Sequence, residues 1–155
     1  MEDSRVHRYQ ARCSWRGSTA AGYDGYGRAH EASAPPAAAV MTLSADPAFR
    51  GDPTLLDPEQ LLVLAAVSCQ LLSFLAVAAR ARVDVLEYDD HGEGEMDLRD
   101  HPARITRVAL RPRIVLAAGP TRERVEHLVD VAHRECFIAN SLRSEMTIEP
   151  EIVFS

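Results

Sequence analysis

The run from Asp57 to Ala81, DPEQLLVLAAVSCQLLSFLAVAARA, limits the fold most, because apolar residues occupy almost every face of any helix it forms. Asp57 is a good N-cap, Pro58 suits the first helical position, and Gln60 follows Asp57 by three residues, so the spacing predicts a helix from Pro58 to about Ala81. A helix apolar all round is buried all round or lies in a membrane. The stretch from Leu61 to Ala79 is long enough to cross a bilayer. Ser68, Cys69, Gln70 and Ser73 interrupt it, however, and the residues after it alternate like a half-buried sheet. The expectation is the central helix of a globular core, with no membrane as partner.

Around this helix the chain reads as strands and turns. Strict alternation from Val6 to Trp15 predicts a strand with His7, Tyr9, Ala11, Cys13 and Trp15 on one face, which puts Cys13 inward as a packing residue. GSTAAGYDGYG is a turn by composition, RAHEASA can return as a second strand, and Val40 to Leu43 form a short third. SADPAFRGDPTLLDP then reads as a loop leading to the helix. Beyond the helix, VDVLEYDD and GEMDL flank HGEG as an acidic hairpin with a solvated turn. In ITRVALRPRIVLA, Arg107, Arg111 and Arg113 share one face while Val108, Leu110, Ile114 and Leu116 share the other, so this is a strand with a wet side. RERVEHLVDVAHREC carries Val125, Leu128, Val129, Ala132 and Cys136 at helical spacing, and EMTIEPEIVF closes as a strand. This order is α+β, and 155 residues suit a single domain over 1–155.

Composition narrows the partners. A net charge of −6 argues against nucleic acid, which calls for clustered cations. The opening MEDSRVHRYQ lacks the features of a secretory signal, so a cytoplasmic location is expected. Cys13, Cys69 and Cys136 are odd in number and contain no C-x-x-C, which fits neither a disulfide framework nor a zinc finger. His133 and Cys136 stand one helical turn apart but have no complementary pair of ligands, so no metal and no cofactor are expected.

Cys69 is either a small apolar filler or a reactive thiol. It lies about three turns into its helix, beyond reach of the N-terminal dipole, and apolar surroundings raise a thiol pKa. A reactive Cys69 therefore calls for a cation brought from elsewhere, Arg50 or Arg28. Glu59, ten positions before Cys69, is about 15 Å away along the axis; it could orient such an arginine without touching the sulfur.

DPEQLLVLAAVSCQ, followed later by AHRECFIANS, resembles the OsmC/Ohr family, the osmotically inducible and organic hydroperoxide resistance proteins. In that family a helix opens with N-P-E-[EQ]-L and carries a cysteine ten residues after the Glu, as Cys69 follows Glu59; a second cysteine lies in a later helix, as Cys136 follows Ala132 and His133. An arginine precedes the Glu by about ten positions, and Arg50 is nine before Glu59. Asp57 replaces the usual Asn, SCQ replaces the commoner A-C-F or A-C-H, and CFIANS replaces C-P-[YV]-S.

The resemblance implies an OsmC-like α+β fold with antiparallel sheets wrapped around a long buried central helix, in an intertwined homodimer. It implies a thiol peroxidase acting on organic hydroperoxides, with Cys69 the peroxidatic thiol, Cys136 the resolving thiol, Arg50 the activating cation and Glu59 its orienting carboxylate. An external dithiol would restore the thiols. Phe49, Leu72, Phe74, Phe137 and Ile138 flank these positions as an expected apolar substrate pocket. An alternative is an OsmC-like dimer that keeps the fold and cysteines but binds a small molecule or serves a structural role.

Overall fold

The computed structural model describes residues 5–155; the first four residues of the segment read for a secretory signal lie outside this range. The chain divides into two compact units, one ending at Pro58 and the other Glu59–Ser155.

In the first unit β1 (Arg12–Ser14), β2 (His30–Ser33) and β3 (Val40–Leu43) form an antiparallel sheet in that order, with Cys13 opposite Ala32 and His30 opposite Leu43. The strand predicted from Val6 to Trp15 is thus reduced to three residues, and Cys13 is exposed rather than inward. The physical reason is the small core of this unit: among its described residues only Ala32, Leu43, Ser44 and Asp57 are buried, so nothing here covers the alternating face.

The loop after β3 is closed on itself. Ser44 N–H donates to Leu56 O at 2.9 Å, Asp52 N–H donates to Ser44 Oγ at 3.0 Å, and a 3-10 turn spans Pro47–Phe49 with Asp46 as its cap. The chain then turns back through Arg50 at φ 67°. Gly51 must be glycine, since a Cβ there would stand 1.6 Å from Ala45 O.

The second unit is built on α1 (Pro58–Arg80). Its strands β4 (Val85–Asp90), β5 (Glu93–Met96), β6 (Ile105–Leu110) and β7 (Pro112–Leu116) are followed by α2 (Arg122–Glu135), α3 (Phe137–Ser141), β8 (Glu145–Ile148) and β9 (Glu151–Phe154). Two three-stranded sheets result, β4-β7-β9 and β5-β6-β8. Each combines an antiparallel pair with a parallel one, so the expected antiparallel pairing holds for the first two strands of each sheet and β8 and β9 join in parallel.

The expected acidic hairpin does not form. β4 and β5 pair with β7 and β6, not with each other. Its turn is not simply solvated either. A Cβ on Gly92 would stand 2.3 Å from Val67 Cγ2, and one on Gly94 2.6 Å from Val63 Cγ2; the missing side chains let α1 approach the sheet closely. At the break between β6 and β7, Arg111 N–H is free of the ladder and donates to Asp90 Oδ1 at 2.8 Å.

One core cluster joins Phe74, Val77 and Ala78 of α1 to Ile114 and Leu116 of β7 and to Val125, Val129 and Ala132 of α2. A smaller one joins Ala66 to Val108 and Leu110. The arginine face of β6 and β7 is exposed as expected. The all-round burial predicted for α1 is not seen in the single chain: Leu64, Leu72 and Leu75 are exposed, because sheet and α2 cover only one side. By length and composition α1 could cross a membrane, but here its covered side is core packing.

Candidate functional site

Cys69 sits mid-way along α1 and is half-buried. Cys136 ends α2, caps α3 and is fully buried. The tertiary structure brings the two sulfurs together. Burial pushes the Cys69 thiol up and is the largest single influence, but four hydrogen bonds outweigh it: from the Cys136 thiol, the Ile138 N–H, the Ser73 hydroxyl and the Phe137 N–H. The net effect holds Cys69 below an ordinary thiol, because each donor favours the anion.

Cys136 goes the other way. Burial, and then its hydrogen bond to Cys69, push it up to about 11, although the Ala139 N–H works against them. That amide donates to Cys136 Sγ at 3.4 Å. Of the two sulfurs Cys69 is therefore the easier to ionise, and Cys136 is the one that keeps its proton and donates.

Sequence reasoning asked for a cation at Cys69; the donors found are neutral. Ser73 is one turn beyond Cys69 on the same helix face, a spacing that could have flagged it. The Phe137 and Ile138 amides carried no such signal, since they act through the backbone at the start of α3. Arg28 is engaged within the first unit, its guanidinium 3.8 Å from the Tyr26 ring centroid and 4.6 Å from that of Tyr23. Arg50 pairs with Asp24, Nε to Oδ1 at 2.9 Å. Glu59 is half-buried on the first turn of α1.

Of the expected pocket residues, Phe74 is corrected. It is fully buried and its ring lies 5.8 Å from that of Tyr88, so it packs the core and has no surface to offer a substrate. Leu72 is 62% exposed and Phe137 81% exposed, Ile138 packs against the smaller core cluster, and Phe49 is half-buried in the first unit. Leu72 shares the helix face of Cys69 by its i+3 spacing, and Phe137 carries one of the amides on the sulfur.

Tyr88 and Asp90 stand behind the pair. Burial and the Asp90 carboxylate, by its charge and its hydrogen bond, push the Tyr88 phenol far up, and burial raises Asp90 despite the Arg111 N–H. Tyr88 is thus a neutral wall. Among the described residues no group of three or more His, Cys, Asp or Glu side chains is arranged to hold a metal ion.

The family profile described as OsmC-like protein matches residues 51–151. The chain belongs to the OsmC-like family. The match contains Glu59, Cys69 and Cys136, and Arg50 lies one residue before it. An OsmC-like protein of unknown function from Vibrio cholerae superposes with a TM-score of 0.84 at 29% identity, over 94% of this chain and 99% of that one. An organic hydroperoxide resistance protein from Elizabethkingia anophelis gives 0.70 at 17% identity, over 100% and 99%. One from Legionella pneumophila gives 0.68 at 15%, over 96% and 98%. At those last two identities the likeness is one of fold. No curated protein matches the chain significantly.

Proposed function

We propose that this OsmC-like chain is a cysteine-based peroxidase that reduces organic hydroperoxides to alcohols, with Cys69 peroxidatic and Cys136 resolving. The observation that supports it most is the hydrogen-bonded thiol pair whose members are pushed in opposite directions. A thiol near 8.5 is only about 10% ionised at pH 7.5, so each step down in pKa adds reactive anion directly.

The Cys69 thiolate attacks the outer peroxide oxygen, the O–O bond breaks, and the alkoxide leaves to take a proton and become alcohol; the sulfur is oxidised to sulfenic acid. The Cys136 sulfur then attacks the Cys69 sulfur. The S–O bond breaks, and the leaving hydroxide and the thiol proton form water. Part of what holds Cys136 at about 11 is its bond to Cys69 and the charge there. Conversion of that sulfur to neutral sulfenic acid removes both influences, so Cys136 becomes easier to ionise when it is needed. An external dithiol reduces the disulfide by exchange.

Leu72 and Phe137 favour alkyl hydroperoxides over hydrogen peroxide. The family motif supports Arg50 as an added cation and Glu59 as the acid that orients it. The exposed stripe of Leu64, Leu72 and Leu75 supports a homodimer in which a second copy covers α1.

The test is turnover of cumene hydroperoxide with a dithiol, with protein mass followed in parallel. Wild type is expected to turn over repeatedly and to show the Cys69–Cys136 crosslink. Cys69→Ser should lose turnover, and Cys136→Ser should stop after a single oxidation. Undiminished cycling by Cys69→Ser would end this reading, and equal rates with hydrogen peroxide would remove the apolar preference.

A further inference from the structure

Gln70 follows Cys69 directly and is the polar residue that departs from the family's aromatic or histidine at that position. Its side chain is fully buried. Nε2 donates to Val129 O on α2 at 3.4 Å, while Oε1 is buried without a hydrogen-bond partner. A second such atom is His133 Nδ1, one turn before Cys136 on the same helix.

His133 and the Val129 carbonyl that Gln70 reaches belong to the same turn of α2. Val129 C=O is the i−4 acceptor of the His133 N–H, and a helical side chain leans back over the preceding turn, so the His133 ring covers the turn that Gln70 reaches. Leaving a buried amide oxygen unpaired is costly, and buried polar atoms in native proteins are paired with protein groups or an enclosed water. Oε1 can only accept. Nδ1 can donate if the imidazole carries its proton there, and the tautomer is set by the bond a ring nitrogen makes. The two atoms are therefore complementary in one tautomer.

We propose that one enclosed water, accepting from His133 Nδ1–H and donating to Gln70 Oε1, links the two side chains, and that this link is a positioning contact holding the helices of Cys69 and Cys136 in register for disulfide closure. The second half rests on the peroxidase reading; the first does not. Gln70 and His133 touch no reacting atom, and their effect belongs to the closing step alone.

The resting, reduced protein is tested first by 15N NMR of its imidazoles. His133 is expected as the Nδ1–H tautomer, shifting towards Nε2–H in Gln70→Leu; an Nε2–H tautomer in wild type, or no shift in Gln70→Leu, would overturn the link. Cysteine oxidation is then followed with one equivalent of cumene hydroperoxide. In Gln70→Leu and in His133→Phe, sulfenic acid formation should stay within about twofold of wild type, while closure slows about five- to tenfold, the worth of one hydrogen bond. His133→Asn, whose Nδ2 occupies the place of Nδ1, should restore closure, and the double variant should be no slower than either single one. Additive losses, equal slowing of both steps, or failure of His133→Asn to rescue would remove the positioning role. A wild type that forms no disulfide would defeat the peroxidase reading and the positioning role, while the tautomer still decides the link.

Discussion

α1 and α2 each bring one thiol to the site, and they do so on opposite terms. In α2 the hydropathy pattern and the burial agree: Val125, Leu128, Val129 and Ala132 face the core and the charged residues face out. In α1 they disagree, since Ala66, Phe74, Val77 and Ala78 are covered while Leu64, Leu72 and Leu75 are not. Cys136 closes the helix whose apolar face is fully used and is fully buried. Cys69 lies on the helix with apolar surface to spare and is only half-buried. The surplus apolar surface thus lies on the helix of the sulfur with the lowered pKa, and it is there that the proposed dimer and peroxide site can be tested.

The contrast can be broken most severely at the covered side of α1. Phe74→Ala should cost about 3–5 kcal/mol in denaturant unfolding, the usual loss for a fully buried aromatic; a loss below about 1 kcal/mol would mean that the core does not rest on α1 as described. Next in size is the open side. Leu72→Glu should convert the proposed dimer to monomer in sedimentation velocity, and a variant still dimeric at micromolar concentration would show that this stripe is not the interface.

The smallest expected effect sharpens the difference between the thiols. Cys136→Ala removes the thiol donor to the Cys69 anion, so the anion is disfavoured and the Cys69 pKa rises. Alkylation of Cys69 followed against pH should then show its inflection at higher pH than in wild type. Cys136→Ser keeps a hydroxyl donor and should move it less. An inflection unmoved by Cys136→Ala would mean that the amides of Phe137 and Ile138 and the Ser73 hydroxyl carry the whole effect.

Much of the fold was legible. Pro58 to about Ala81 reads as a helix and α1 runs Pro58–Arg80, because cap, first-turn proline and apolar content agree locally. β3 has its expected bounds, and the buried stripe of α2 matches its pattern residue by residue. Cys13 was misread because alternation marks a face that something could cover, and in its own unit nothing does. The HGEG turn was misread because glycine signals a turn and a close approach alike, and only the position of Val63 and Val67 decides between them. Phe74 was misassigned to the pocket because proximity in sequence to Cys69 says nothing about which way a helix faces.

By itself the sequence determined α1 and α2, the α+β class, and the spacing of Glu59, Cys69 and Cys136 that marks the family, since capping, periodicity and motif spacing are local; it missed α3 and the splitting of its last strands into β6 and β7 and into β8 and β9. Only the tertiary structure decided that the two sulfurs meet, which of them is the better anion, and that backbone amides of α3 help to make it so. Such donors belong to no side chain, and their effect depends on where the chain has folded.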